Sequence, residues 1–178
     1  MKLNRQAEDR YRVQDYAKGA EIDGVEIIEL RRFNDDAGSL TELARFSQGK
    51  LDGMAAFRLA QINDSLLVPG AIKAFHVHRR QTDVWYVPPE DRVLLILIDV
   101  RDASATENNI LRLTLGDGHS RMVRVPPGVA HGCRNIGASS ARIIYFTDVH
   151  FSADPDDTDE GRLPWDFIGA EVWEPARD

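Results

Sequence analysis

Gly70 to Val87 reads G-A-I-K-A-F-H-V-H-R-R-Q-T-D-V-W-Y-V. Apolar and polar positions alternate on either side of a charged centre, the pattern of two strands joined by a polar turn. His76 and His78 stand two apart, so on a strand both rings leave the same face. Asp83 follows the turn, where a returning strand can bring it beside them. Pro126 to Asn135, P-P-G-V-A-H-G-C-R-N, sets His131 just behind a Pro-Gly turn. Three imidazoles and a carboxylate suit a divalent ion, and they equally suit a site that moves protons. The residue types alone leave that choice open.

Outward from these stretches the chain keeps the same grain. Val25 to Leu30 (V-E-I-I-E-L) predicts a first strand, and R-R-F-N-D-D-A-G-S behind it predicts a turn. Leu40 to Phe46 fits helix or strand. Ala55 to Ile62 predicts a strand ending at an Asn63-Asp64-Ser65 turn. Val93 to Ile98 (V-L-L-I-L-I) is an unbroken apolar run of buried-strand length. Asn108 to Leu115 alternates through I-L-R-L-T-L, Gly116-Asp117-Gly118 predicts a hairpin turn, and Met122 to Val125 and Ala141 to Phe146 add further strands. Short strands punctuated by turns, with few helical periods, predict an all-β sandwich or barrel. Residues 152–162 are acidic and predict a solvated loop. The segment L-P-W-D-F-I-G-A-E-V-W-E-P then restores apolar mass, expected to pack on the barrel or on a second subunit. The expected organisation is an arm over residues 1–24, a barrel over 25–151 and a C-terminal extension over 152–178.

Composition narrows the partners. At 178 residues with net charge −7, the chain is a poor match for nucleic acid polymers. No apolar run approaches the length of about 20 residues that spans a bilayer. The first ten residues, M-K-L-N-R-Q-A-E-D-R, have no apolar signal core, and the lone Cys133 fits a reducing compartment. The expected location is the cytoplasm. Trp85, Trp165 and Trp173 read as core or dimer contacts, and His119 and His150 as surface residues.

Gly70, His76, His78 and Asp83 resemble the first motif of the cupin superfamily, G-x5-H-x-H-x4-E-x6-G, with Asp in place of Glu and no closing Gly. Pro126, Gly128, His131 and Asn135 resemble its second motif, P-x-G-x2-H-x3-N, at every spacing. The resemblance implies a double-stranded β-helix, or jelly-roll barrel, with the motif side chains turned into an internal cavity.

A narrower resemblance runs from about residue 25 to 174, to the dTDP-4-dehydrorhamnose 3,5-epimerases. Glu42 in F-N-D-D-A-G-S-L-T-E is similar to a Glu behind that family's acidic turn, and K-A-F-H to its R-G-L-H. Asp99-Val100-Arg101 followed by S-A-T resembles its D-I-R-x-x-S-P-T, and V-P-P-G-V-A-H-G its I-P-x-G-x-A-H-G. Tyr145 falls on its catalytic tyrosine, and Glu160-Gly161 with Trp165-Asp166 on its E-x-G and Trp-Asn-Asp segment.

The chain departs from the family at charged positions. Ala37 and Lys73 stand where the family has Arg, and Asp83 where it has Lys. No counterpart follows W-E-P-A-R-D for the segment bearing the Asp that pairs with the catalytic histidine. The resemblance implies an isomerase that needs no cofactor and acts on a nucleotide-linked 4-keto sugar. His76, Tyr145 and His131 would be its catalytic residues, and Glu42, Lys73, His78, Arg80 and Glu160 would bind substrate. His131 or Lys73 would stabilise the enolate, and Asp83 or Asp166 would orient His76. H-x-H also resembles the related 3,4-ketoisomerases. The alternatives are a metal-dependent cupin using His76, His78, Asp83 and His131 to hold Fe, Mn, Ni or Zn, and a non-catalytic sugar-binding cupin. A homodimer is expected, because barrel sheets leave edges to cover.

Overall fold

The computed structural model describes residues 1–13, 20–48, 50–54 and 57–175. One turn of helix, α1 (Arg5–Glu8), precedes β1 (Glu26–Glu29). Two small hairpins follow, β2 (Arg32–Asp35) with β3 (Gly38–Thr41), and β4 (Phe46–Ser47) with β5 (Lys50–Leu51). Then come β6 (Gln61–Leu67), β7 (Ile72–Val77), β8 (Asp83–Tyr86), β9 (Arg92–Asp99) and β10 (Ile110–Gly116). The last strands are β11 (Arg121–Val125), β12 (Val129–Asn135), β13 (Ala141–Thr147) and the two-residue β14 (Gly161–Arg162). The principal strands form two antiparallel five-stranded sheets, ordered β1-β11-β8-β13-β6 and β10-β9-β12-β7-β14. The chain changes sheet at nearly every connection, which makes a jelly-roll barrel of the cupin type.

Side-chain parity decides what enters the barrel. Val93, Leu95 and Leu97 of β9 pack in the interior cluster with Trp85, Val123, Cys133 and Ile143. Leu94, Ile96 and Ile98, one residue out of phase, pack outside with Phe75 and the C-terminal Trp173. Both faces of β9 are therefore dry, which is why its sequence is apolar without alternation. The other sheet is covered likewise: Val84, Tyr86, Met122 and Phe146 lie under Leu51, Met54 and Phe57. Trp173, 1% exposed, sets its ring 5.3 Å from that of Phe75. Trp165, by contrast, is exposed, so only two of the three tryptophans are core.

Several expected turns prove otherwise. The stretch 78–82 does not fold a hairpin; β7 and β8 belong to opposite sheets, and the turn is a barrel corner. Gly116-Asp117-Gly118 is likewise a crossover, since β10 pairs with β9 and β11 with β8 and β1. Gly116 is required there: φ is 72°, and a Cβ would meet the Asp91 carbonyl oxygen at 2.1 Å. Asn63-Asp64-Ser65 lies inside β6, opposite Tyr145, Ile144 and Ile143. Pairing with a long partner strand there outweighs the turn preference of those residues. Ala55 and Ala56, part of the strand expected just before, lie outside the described residues. In the segment from Arg32 only Asp36 and Ala37 turn, with the Asp35 carboxylate accepting the Ala37 N–H at 2.9 Å.

Candidate active site

Between the sheets lies a cavity of about 510 Å3, walled by His76, His78, Asp83, His131, Tyr145 and Glu160 among others. Register builds it. His131 on β12 stands directly opposite His76 on β7, and their rings stack at 5.8 Å between centroids. His78 follows His76 on the same face, its ring 5.4 Å from that of His131. Asp83, Trp85, Ile143 and Tyr145 reach in from the opposite sheet, where Trp85 pairs with Tyr145. The Trp85 ring meets His131 edge-on at 5.4 Å.

His76 is held at both nitrogens. Its Nδ1 lies 2.6 Å from Glu160 Oε1, and its Nε2 lies 2.9 Å from Arg162 Nη1. A guanidinium can only donate, so Nε2 carries the lone pair and the Nδ1–H donates to the carboxylate. Burial, chiefly, together with the nearby His131, pushes the His76 pKa below the ordinary histidine value, with Glu160 pulling the other way. The hydrogen bond from His76 in turn holds the Glu160 carboxyl below the usual range. Arg162 closes the group, its Nη2 being 3.0 Å from Glu160 Oε1.

Asp83 forms a second centre. Burial alone would raise its pKa, yet His131, His78 and the Trp85 indole hold it down at about 2. It accepts from Gln81 Nε2 at 2.7 Å and Trp85 Nε1 at 3.1 Å, and lies 3.3 Å from His131 Nε2. The other nitrogen of His131 donates to the Val129 carbonyl at 3.1 Å, so both sides of that ring are engaged. Tyr145 is shifted upward, first by burial and then by the charges of Asp83 and Glu160, and so keeps its proton. Cys133, buried beside the chamber, is pushed up to about 12 by burial and is no nucleophile.

The acidic loop is not a mere solvated surface. Asp159 accepts the backbone N–H groups of Arg79, Arg80 and Gln81 at 3.2, 2.8 and 2.9 Å, and its carbonyl lies 2.8 Å from His78 Nδ1. The loop is thereby strapped across the barrel corner and delivers Glu160 to His76. The expected orienters of His76 are corrected: Asp83 serves His131, Asp166 is exposed, and the carboxylate at His76 is Glu160. Glu42 stays on the surface paired with Arg45, and Arg80 lies outside the cavity, donating to the Asp157 carbonyl. Lys73 does line the cavity, with Nζ donating to Ser65 Oγ at 2.8 Å. Of the four candidate metal ligands, His78, Asp83 and His131 bring donor atoms within 4.8 Å of one another; His76 is outside that cluster, taken up by Glu160 and Arg162. Arg162 escaped the sequence reading; it stands on the edge strand β14, two residues after Glu160 at the end of the acidic loop.

Fold and chamber define the class: a cupin barrel whose interior carries acid–base groups on two facing walls. The chain matches the family model for dTDP-4-dehydrorhamnose 3,5-epimerase over residues 19–166. It is 37% identical over 145 residues to the spore coat polysaccharide biosynthesis protein SpsL of Bacillus subtilis, covering 82% of this chain and 91% of that protein. Its fold is similar to a dTDP sugar isomerase from Desulfovibrio desulfuricans (TM-score 0.70, 26% identity, 82% of this chain and 87% of that one). It is similar too to a dTDP-4-dehydrorhamnose 3,5-epimerase from Sulfolobus tokodaii (TM-score 0.68, 26% identity, 82% and 80%). This protein belongs to the dTDP-4-dehydrorhamnose 3,5-epimerase family and is an isomerase.

Proposed function

We propose that the protein epimerises a dTDP-linked 4-keto-6-deoxyhexose by removing a proton from a carbon beside the ketone. The observation that carries this reading is the Glu160-braced, neutral His76 facing the same cavity as Tyr145, the two residues standing on opposite sheets. Nε2 of His76 takes the proton, and the carbonyl electrons move onto oxygen to give an enolate. Tyr145, protonated and on the other wall, returns a proton to the opposite face of that carbon, which inverts it. His131, fixed by Asp83 and Val129, shapes the wall between them. A second, polar hollow of about 260 Å3 shares His78, Gln81, Tyr145 and Glu160 with the main cavity, which suits a ligand of two parts.

The chemistry needs only side chains, so the reading requires no cofactor. Among the described residues no helix is long and apolar enough to cross a membrane. We propose further that the protein works in the cytoplasm as a homodimer.

The test is solvent exchange. Chelator-treated protein incubated in D2O with dTDP-4-keto-6-deoxyglucose is expected to place deuterium at carbon 3, carbon 5 or both, read by NMR. His76→Asn is expected to abolish it. Exchange that persists in His76→Asn would end the assignment. Exchange lost on chelation and restored by a divalent ion would favour the metal reading through His78, Asp83 and His131.

A further inference from the structure

We propose that Arg162 is the cation that stabilises the enolate oxygen, and that in the free protein the same guanidinium caps the lone pair of the base. This rests on the reading that His76 takes a proton from beside the ketone. An enolate forming in the chamber needs a positive charge within reach of its oxygen. His131 and Lys73 were the expected sources, but the contacts they make point to Asp83, Val129 and Ser65 and not to Nε2 of His76. His131 already lies against the Asp83 carboxylate and donates to Val129; Lys73 reaches across to Ser65. Arg162 is the cation whose N–H meets the reactive nitrogen of His76, at 2.9 Å.

Its placement is built into the backbone. Arg162 on β14 is the cross-strand partner of His76 on β7, and Gly161 beside it pairs with Val77. A Cβ at Gly161 would lie 2.7 Å from the Val77 carbonyl oxygen and 3.0 Å from Val77 Cγ1, so only glycine lets the strands come this close. The Arg162 side chain is 58% exposed, with solvent room to move, while its 3.0 Å contact to Glu160 tethers it to the site. A substrate C–H arriving at Nε2 must displace Nη1. The ketone oxygen sits on the neighbouring carbon, so the displaced guanidinium finds it without leaving Glu160.

The step balances. The C–H electron pair becomes the carbon–carbon double bond, the proton goes to Nε2, and the carbonyl pair moves to oxygen, which Arg162 meets with a charge it already holds. Tyr145 then protonates carbon from the other face, the carbonyl re-forms, and phenolate and imidazolium re-equilibrate with water.

The experiment compares wild type, Arg162→Met and Arg162→Lys in the D2O exchange assay across pH, with calorimetric binding of dTDP to report an intact chamber. Arg162→Met is expected to lower kcat by about 10²–10³-fold, the scale of losing one oxyanion donor, with KM and dTDP affinity little changed. Arg162→Lys should recover part of kcat. The acid limb of kcat/KM should also move to higher pH in Arg162→Met, because the guanidinium that opposed protonation of Nε2 has gone. Near wild-type kcat in Arg162→Met, a loss confined to KM, a loss of dTDP binding, or an unmoved acid limb would each overturn the proposal. Wild-type protein that exchanges nothing overturns the parent reading and this one with it; normal exchange with an indifferent Arg162 overturns this one alone.

Discussion

The ring of His76 meets opposite charges at its two nitrogens, Glu160 at Nδ1 and Arg162 at Nε2. Burial, with smaller effects from His131 and Arg162, favours the neutral ring, and Glu160 is the group that opposes them. Protonation is therefore harder in the folded protein than in the unfolded chain. The stability this contributes is present above the ordinary histidine value and is lost as pH falls through the depressed one. Under the proposed mechanism the same signs govern catalysis. In Glu160→Gln the carboxylate no longer supports the imidazolium, so the acid limb of kcat/KM should move to lower pH, opposite to the shift in Arg162→Met. Its kcat should fall about 10- to 100-fold, the scale of one hydrogen bond to a charged group at about 1.5–3 kcal/mol. A pH–rate profile of exchange checks both. An unmoved limb would mean that Glu160 does not act on the base. The histidines themselves were legible from spacing alone. The braces were not, because His76 and Glu160 lie 84 residues apart and no local pattern relates them.

Among the elements, β14 is the shortest of the second sheet and the one that completes the site. Two residues at a sheet edge add little to global stability, yet they fix Glu160 and Arg162 against His76. Gly161→Ala is expected to push β14 off β7, lowering exchange more than tenfold while the melting temperature moves by only a few degrees. Thermal unfolding and the exchange assay together check it; a large drop in melting temperature with normal turnover would contradict this assignment. The strand itself hides in an acidic stretch whose composition reads as a loop, since it has no apolar alternation to signal an edge pairing. β9 is the reverse case. Its apolar run is legible at once, and its two dry faces explain why it does not alternate.

Across the whole molecule, the outer faces of the sheets are covered by the segment around Leu51, Met54 and Phe57 and by the tail at Trp173. One end of each sheet, β1 and β10, is left uncovered by the described residues. Ile27 and Ile110 on them remain 43% and 41% exposed, and a cavity of about 710 Å3 with Ile22, Val25, Leu111 and Leu113 in its walls lies beside them. Edges that no described strand pairs, with apolar side chains on them, are where the proposed homodimer would join. Light scattering is expected to give about twice the 20.0 kDa chain mass, falling to one chain in Ile27→Glu. A wild-type monomer would refute the homodimer.

By itself, the sequence determined the β-rich character and the common face of His76 and His78, and the cupin resemblance implied that His131 joins them inside a barrel. Strand parity is a local property, whereas the meeting of His131 with His76 needs β12 to pair with β7. Only the tertiary structure decided which carboxylate serves which ring, since that depends on corners where the chain changes sheet and on a loop strapped across one of them by Asp159. Asp83, near His78 in sequence, goes to His131; Glu160, distant in sequence, goes to His76, because electrostatic partners are chosen by distance in space.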